Sequence, residues 1–371
     1  MVIRPIQVPP INIGIDALYC RGLSFLPGLC ANGHAVFTGS TGMGKSTIVK
    51  HVVSSLRCLM VPIVIFDFHD DLDISGLRTI RLGDGPSGEC SIRFLEPTPL
   101  ALKVYGSRGC MENAVSVIEE MGRRKLGESQ INVLRSAILE LWQSMGVNEC
   151  DGDFSTAAAK SVRPSDLRDL LYEKKDKAES SREKQILDGL INRVDALATC
   201  AIFEHELPLR VDDVLQNGAR LHMQGIPASM RGGVARTLVN MMFAEIAAMG
   251  PVKESPFDVG ASFRVYLVLD EAGSVIRQKA DDCIIKTIAK ESRKFGVGLL
   301  LAAQTLDDLS EEVVANADTH FALPTKSSKD ARKVEQKLGL PKGTLNCGTG
   351  RWSGYYQSGF DVYKANFYYL Q

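Results

Sequence analysis

Hydrophobic residues follow two rhythms along this chain. Short unbroken apolar runs mark the first: Ala35-Val36-Phe37, Ile63–Phe66 closing on Asp67, Ala219–Met223, Val265–Leu269, Val297–Ala302 and His320–Leu323. Runs of this length, bounded by turn residues, predict strands buried on both faces, as in a parallel sheet. Thr79–Leu82 and Ser91–Phe94 are weaker strand candidates among glycine and proline turns. The second rhythm has the period of a helix. Ile131, Leu134, Ile138, Leu141 and Met145 recur at three- and four-residue steps behind Ser129, a candidate N-cap. Ile186, Leu187, Leu190, Ile191, Val194 and Leu197 repeat the pattern, and a further helix is expected over Val234–Met249. Between the first two helices, Glu173–Gln185 alternates in charge and reads as a solvated helix face or linker. Strands alternating with helices predict an α/β fold with a mostly parallel sheet, interrupted by an inserted all-α subdomain. The expected organisation is an N-terminal extension over 1–33, a core over 34–109 and 200–371, and a helical insertion over 110–199.

Composition narrows the classes. The 371 residues carry 43 basic and 44 acidic side chains, a net charge of −1, so any contact with nucleic acid must come from local patches. The nine cysteines include no CxxC pair, which argues for reduced thiols and against a disulfide framework or zinc site. No apolar run reaches the roughly 18 residues of a membrane span, and Met1–Pro10 lacks a signal-peptide pattern. A soluble, cytoplasmic protein is expected.

The most specific chemistry lies at Gly39-Ser40-Thr41-Gly42-Met43-Gly44-Lys45-Ser46, which fits the phosphate-binding loop G-x-x-x-x-G-K-[ST]. A strand precedes it, and Thr47-Ile48-Val49 opens a helix behind it. The glycines let backbone N–H groups curl around a phosphate, and the helix N-terminus adds a favourable dipole. Lys45 then reaches the β- and γ-phosphates and Ser46 holds Mg²⁺, so the segment through Thr47 predicts binding of ATP or GTP. The strand Val265–Leu269 ends in Asp270-Glu271. In P-loop enzymes such a pair divides the labour: Asp270 suits the Mg²⁺ shell and Glu271 the polarisation of the attacking water. Gln304, just past the strand Val297–Ala302, is a candidate γ-phosphate sensor. Arg293 ends a helix whose stop is Gly296; it either complements the helix dipole or acts as an arginine finger in a neighbouring subunit.

Together these pieces resemble the HerA/FtsK superfamily of ring-forming DNA-pumping ATPases, both HerA-like and conjugation-type traffic enzymes. The resemblance rests on the loop Gly39–Ser46, the strand-then-acid segment Ile63–Leu72, Asp270–Ala272, the run from Arg293 to Gln304, and Asn316–Thr319. It implies a RecA-like core, a homo-oligomer, most simply a hexamer, and ATP hydrolysis across subunit interfaces. The family's common D-P-H-G appears here as Asp67-Phe68-His69-Asp70, and the segment ahead of the core leaves no room for the β-barrel usual in HerA proteins. A DNA motor is the first functional expectation. The second is an ATP-gated oligomeric scaffold that organises a nuclease or other effector, and a small-molecule kinase is a distant third. Arg277 and Lys279, with Arg231 in a loop beside Gly232-Gly233, are the candidate DNA contacts.

Overall fold

A computed structural model describes residues 3–30, 32–83, 90–121, 125–144, 161–253, 261–276, 284–345 and 350–368. Two compact units emerge, one comprising residues 1–80, 212–224 and 250–371, the other 81–211 and 225–249.

The first unit is built on a sheet whose centre is parallel. The P-loop strand Ala35–Thr38 lies between Thr319–Ala322 and Val297–Ala303. Beyond the latter come Val265–Leu269, Ile63–Asp67 and Ala219–Gly225, all parallel. Parallel neighbours cannot be joined by a tight hairpin, so each crossover needs a covering segment, and helices Lys45–Cys58 and Ile284–Phe295 supply two of them. Both faces are therefore covered. Ile63–Asp67 and Val265–Leu269 are buried at every position, as their unbroken apolar sequences require.

Four strands on the other side were not anticipated from the sequence. Thr319–Ala322 pairs antiparallel with Ser353–Ser358, which pairs with Asp361–Phe367, then Ile11–Asp16, then Gly22–Phe25. The segment ahead of the P-loop strand thus extends the same sheet. A single core joins the two regions: Ile13 and Phe25 cluster with Phe37, Ile48, Phe321 and Tyr356. The Phe37 and Phe321 rings stack with centroids 4.4 Å apart.

The second unit is helical. Helices Pro164–Lys177 and Ser181–Ala198 share the charged segment Glu173–Gln185 between them, and the second is capped by Ser180, whose Oγ accepts from Glu183 N–H. Most of the stretch is exposed on these two helices, so it is the solvated helix face expected, with Lys175 and Asp188 paired across the helices at 2.6 Å. Trp142 on helix Glu128–Ser144 is buried and donates its Nε1–H to the Leu95 carbonyl at 2.9 Å.

Three local expectations need correction. Ser91–Phe94 is not a strand. Ser91 makes one isolated bridge to Pro208, while its hydroxyl and the Arg93 guanidinium bond carbonyls at 203–207. Ser129 is not a cap, because the helix has already begun at Glu128. The Gly232-Gly233 pair is not a loop but sits inside helix Ala228–Ala248, and a Cβ at Gly233 would stand 2.7 Å from the Met121 sulfur. Close helix packing, rather than flexibility, explains that glycine. Met145 lies outside the described residues. Among the described residues no helix is long and apolar enough to cross a membrane.

Candidate functional site

The loop from Gly39 to Ser46 bends where its glycines permit. Gly39, Gly42 and Gly44 have φ of 147°, 85° and 102°, a region costly for side-chain-bearing residues. Helix Lys45–Cys58 starts directly from Gly44, so its free N–H groups face the loop. Ser40 ties the loop to the neighbouring strand end: its N–H donates to Pro324 O at 3.1 Å and its Oγ accepts from Lys326 N–H at 2.8 Å. Met43 packs against the core. The Lys45 ammonium donates to the Gly39 carbonyl, folding back on its own loop. Burial lowers its proton affinity, opposed by the negative charges of Asp270 and Asp308.

Above this loop opens a cavity of about 490 Å³. It brings together Thr41, Gly42, Gly44, Lys45, Ser46 and Thr47 with Asp270, Glu271 and Gln304, residues from three separate stretches of sequence. The common factor is the sheet: the P-loop strand, the strand ending at Asp270 and the strand ending before Gln304 are parallel neighbours, so their C-terminal ends converge. Asp270 is strongly perturbed. Burial, and then the nearby Asp67 and Asp71 carboxylates, raise its pKa to about 6, against the pull of His69 and Lys45. A site this negative suits a divalent cation bound by hard oxygens. Ser46 Oγ stands 3.5 Å from Asp71 Oδ2, so hydroxyl and carboxylate oxygens gather at the same place.

One part of the site had no role assigned from the sequence: the loop after strand Ile63–Asp67. Asp67 is fully buried and caps this loop, accepting from the N–H groups of His69, Asp70, Asp71 and Leu72 at 2.8–3.2 Å. Arg220 Nε donates to Asp67 at 2.7 Å, and its other nitrogens reach Asp70 and Asp73. Burial acts to raise the Asp67 pKa, but the Leu72 N–H and Arg220 outweigh it and the net shift is downward. The loop is held so that Asp71 and His69 enter the cavity, and His69 Nε2 lies 2.8 Å from Glu271 Oε2. The residue expected to polarise water thus carries an imidazole partner. In the sequence this loop stood out only through the resemblance, as the segment Ile63–Leu72 and the departure Asp67-Phe68-His69-Asp70 from the family's D-P-H-G, with no role attached to His69 or Asp71.

The cavity gains a second unexpected wall from Arg351 and Trp352, just ahead of strand Ser353–Ser358. Arg293 does not line it. It sits exposed in the last turn of helix Ile284–Phe295. Arg231 occupies the first turn of helix Ala228–Ala248, with Nε donating to the Ile226 carbonyl at 2.7 Å, so its setting is helical and not the loop expected. Arg277 and Lys279 lie outside the described residues.

Comparison with known proteins agrees with this architecture. The solved structure of VirB4 of Thermoanaerobacter pseudethanolicus matches with a TM-score of 0.76 at 14% identity, over 97% of this chain and 96% of that one. The plasmid coupling protein TrwB, bound to a non-hydrolysable ATP analogue, matches with a TM-score of 0.61 at 14% identity, over 99% and 97%. These likenesses establish the RecA-like fold. Among curated proteins, the DNA double-strand break repair helicase HerA of Sulfolobus acidocaldarius is 23% identical over 309 residues. The match takes in 81% of this chain but spans only 57% of that relative's length. The family described as "Helicase HerA, central domain" matches residues 28–227, more than half the chain. The protein therefore belongs to the HerA family and is a P-loop ATPase of the HerA/FtsK type.

Proposed function

We propose that this chain is a DNA-translocating motor subunit that hydrolyses ATP at the interfaces of a homo-oligomeric ring, most simply a hexamer. The observation that carries the reading is the division of the machinery. Lys45, Ser46, Asp270, Glu271 and Gln304 face one cavity, whereas Arg293 is exposed and does not line it, which supports a role for Arg293 in a neighbouring subunit's site. Glu271 orients and polarises the attacking water, with His69 fixing the carboxylate. Lys45 leaves the Gly39 carbonyl to meet the β- and γ-phosphates, and Gln304 senses the γ-phosphate from the adjoining strand end. Ser46 and Asp270 would hold Mg²⁺, which neutralises phosphate charge when bound; TrwB has been described with ADP and Mg²⁺. Arg293 from the next subunit stabilises the charge that develops on the transferred phosphoryl group.

DNA as the partner rests on kinship with HerA, described as a DNA double-strand break repair helicase, and Arg277, Lys279 and Arg231 are its proposed contacts. The test is steady-state ATPase with and without single-stranded and duplex DNA at matched salt. A motor predicts strong stimulation by at least one form. Hydrolysis indifferent to both would contradict it and favour the alternative, an ATP-gated scaffold for a nuclease or other effector.

A further inference from the structure

The P-loop, the acid pair and Gln304 all address the triphosphate, and none of them meets the base. The antiparallel side of the sheet supplies what is missing. Arg351 and Trp352 line the same cavity, although about 300 residues separate them from the P-loop. Among the described residues lining it, Trp352 is the one aromatic ring besides His69, which is engaged with Glu271, and Arg351 is the one cation besides Lys45.

Their position is built. Arg351 Nε donates to the Gly42 carbonyl at 3.0 Å, and the Trp352 N–H donates to the Met43 carbonyl at 3.3 Å. From the other side, the Trp352 carbonyl accepts from the Phe367 N–H at 2.8 Å, so one residue joins the phosphate loop to the last strand. The indole lies over Gly44: a Cβ there would come within 2.3 Å of the ring carbon Cδ1. The guanidinium of Arg351 stands 5.8 Å from the centroid of the same ring. Trp352 also holds φ at 64°, a conformation a bulky side chain adopts only when its surroundings over-determine it, and such strain concentrates at ligand-binding sites.

We propose that Arg351 and Trp352 form, within one subunit, the nucleoside side of the ATP site, with Trp352 stacking on the purine and Arg351 facing the phosphates. An indole face and a planar guanidinium are the side chains suited to a flat base carrying an anionic tail. The proposal rests on the reading of the P-loop cavity as a nucleotide site and is independent of DNA.

The sequence offers its own probe, because the chain has only two tryptophans and the other, Trp142, is buried in the helical unit. In a Trp142→Phe protein, Trp352 alone reports. Titration with Mg-ADP is expected to change its emission saturably, while Mg-tripolyphosphate, which lacks a base, occupies the loop by calorimetry without the same change. Arg351→Ala and Trp352→Ala should each weaken Mg-ADP binding about 10-fold, with Arg351→Lys and Trp352→Phe recovering most of it. The two conservative variants and Arg351→Ala keep the test valid even where Trp352→Ala fails to fold. Calorimetric binding of Mg-ADP with unchanged Trp352 emission and unchanged affinity in Arg351→Ala overturns this proposal alone. Absence of any nucleotide binding by the wild-type chain overturns the site reading as well.

Discussion

The two halves of the central sheet differ in how they are buried, and that difference decides what each contributes. In the parallel half, Ile63–Asp67, Val265–Leu269 and Val297–Ala303 are covered on both faces at every position. Such strands leave no freedom to slip, so the groups at their C-terminal ends, Asp67, Asp270 and Gln304, are held to a fixed geometry. In the antiparallel half, Ile11–Asp16 mixes buried and exposed positions, and only two of the seven residues of Asp361–Phe367 are buried. That half can carry polar and aromatic side chains, and it delivers Arg351 and Trp352 to the site. On the function proposed above, the parallel half would hold the chemistry and the antiparallel half would frame the nucleotide.

The largest expected effects fall on the parallel half. Lys45→Ala removes the charge that meets the phosphates, and Glu271→Gln removes water activation. Each should lower kcat by about 10³-fold or more, but Glu271→Gln should still bind ATP. A Glu271→Gln enzyme turning over at the wild-type rate would move the base elsewhere. Arg220→Ala comes next. It leaves Asp67, which is fully buried, without its ion-pair partner, and breaking such a pair costs about 3–5 kcal/mol. Urea unfolding should register this loss together with slower hydrolysis, because the same loop carries His69 and Asp71.

Acid should attack the strands beside the P-loop. His34 and His320 are fully buried, and burial lowers their pKa values to about 4 and about 3. Both lie below the unfolded value near 6.5, so the fold favours the neutral imidazoles. Stability is complete above about pH 6.5 and drains as pH falls towards 4, because the unfolded chain takes up protons that the folded chain refuses. At about 1.4 kcal/mol per tenfold change in proton affinity, each histidine contributes on the order of 3 kcal/mol to that decline by pH 4. His320 Nε2 is buried without a hydrogen-bond partner, so His320→Leu should flatten the pH dependence of chemical unfolding without leaving a partner stranded. An unchanged slope would mean that His320 titrates normally.

A smaller effect joins the two halves. Gly44→Ala places a Cβ against the Trp352 indole and at a φ of 102°, and should cost about 1–3 kcal/mol. In a Trp352→Ala background the collision disappears and only the backbone strain remains, so the cost should fall. Equal costs in both backgrounds would show that the halves do not touch there.

The sequence was most legible where both faces of an element are buried, because there every residue must be apolar and the pattern is short and unbroken. Ile63–Phe66 and Val265–Leu269 are of this kind. The P-loop was legible for another reason: its chemistry lies within eight consecutive residues whose glycines the backbone demands. Half-exposed strands gave no such signal. Ser353–Ser358, with its small and tyrosine residues, reads as well for a loop. Ser91–Phe94 misled in the opposite direction, since Ile92 and Phe94 are buried beside Ser91 and Arg93, which bond backbone carbonyls instead of extending a ladder. The pairing of His69 with Glu271, and of Trp352 with Gly44, depends on distant segments brought together by the sheet topology, which no local pattern encodes.

If catalytic groups are divided between subunits as proposed, mixing two inactive variants should restore activity. Lys45→Ala and Arg293→Ala subunits, each inactive alone, should recover measurable ATPase when co-assembled, because some interfaces then pair an intact P-loop with an intact arginine. Recovery that rises and falls with the mixing ratio supports the shared site. No recovery, with subunit exchange demonstrated by differential labelling, would contradict it.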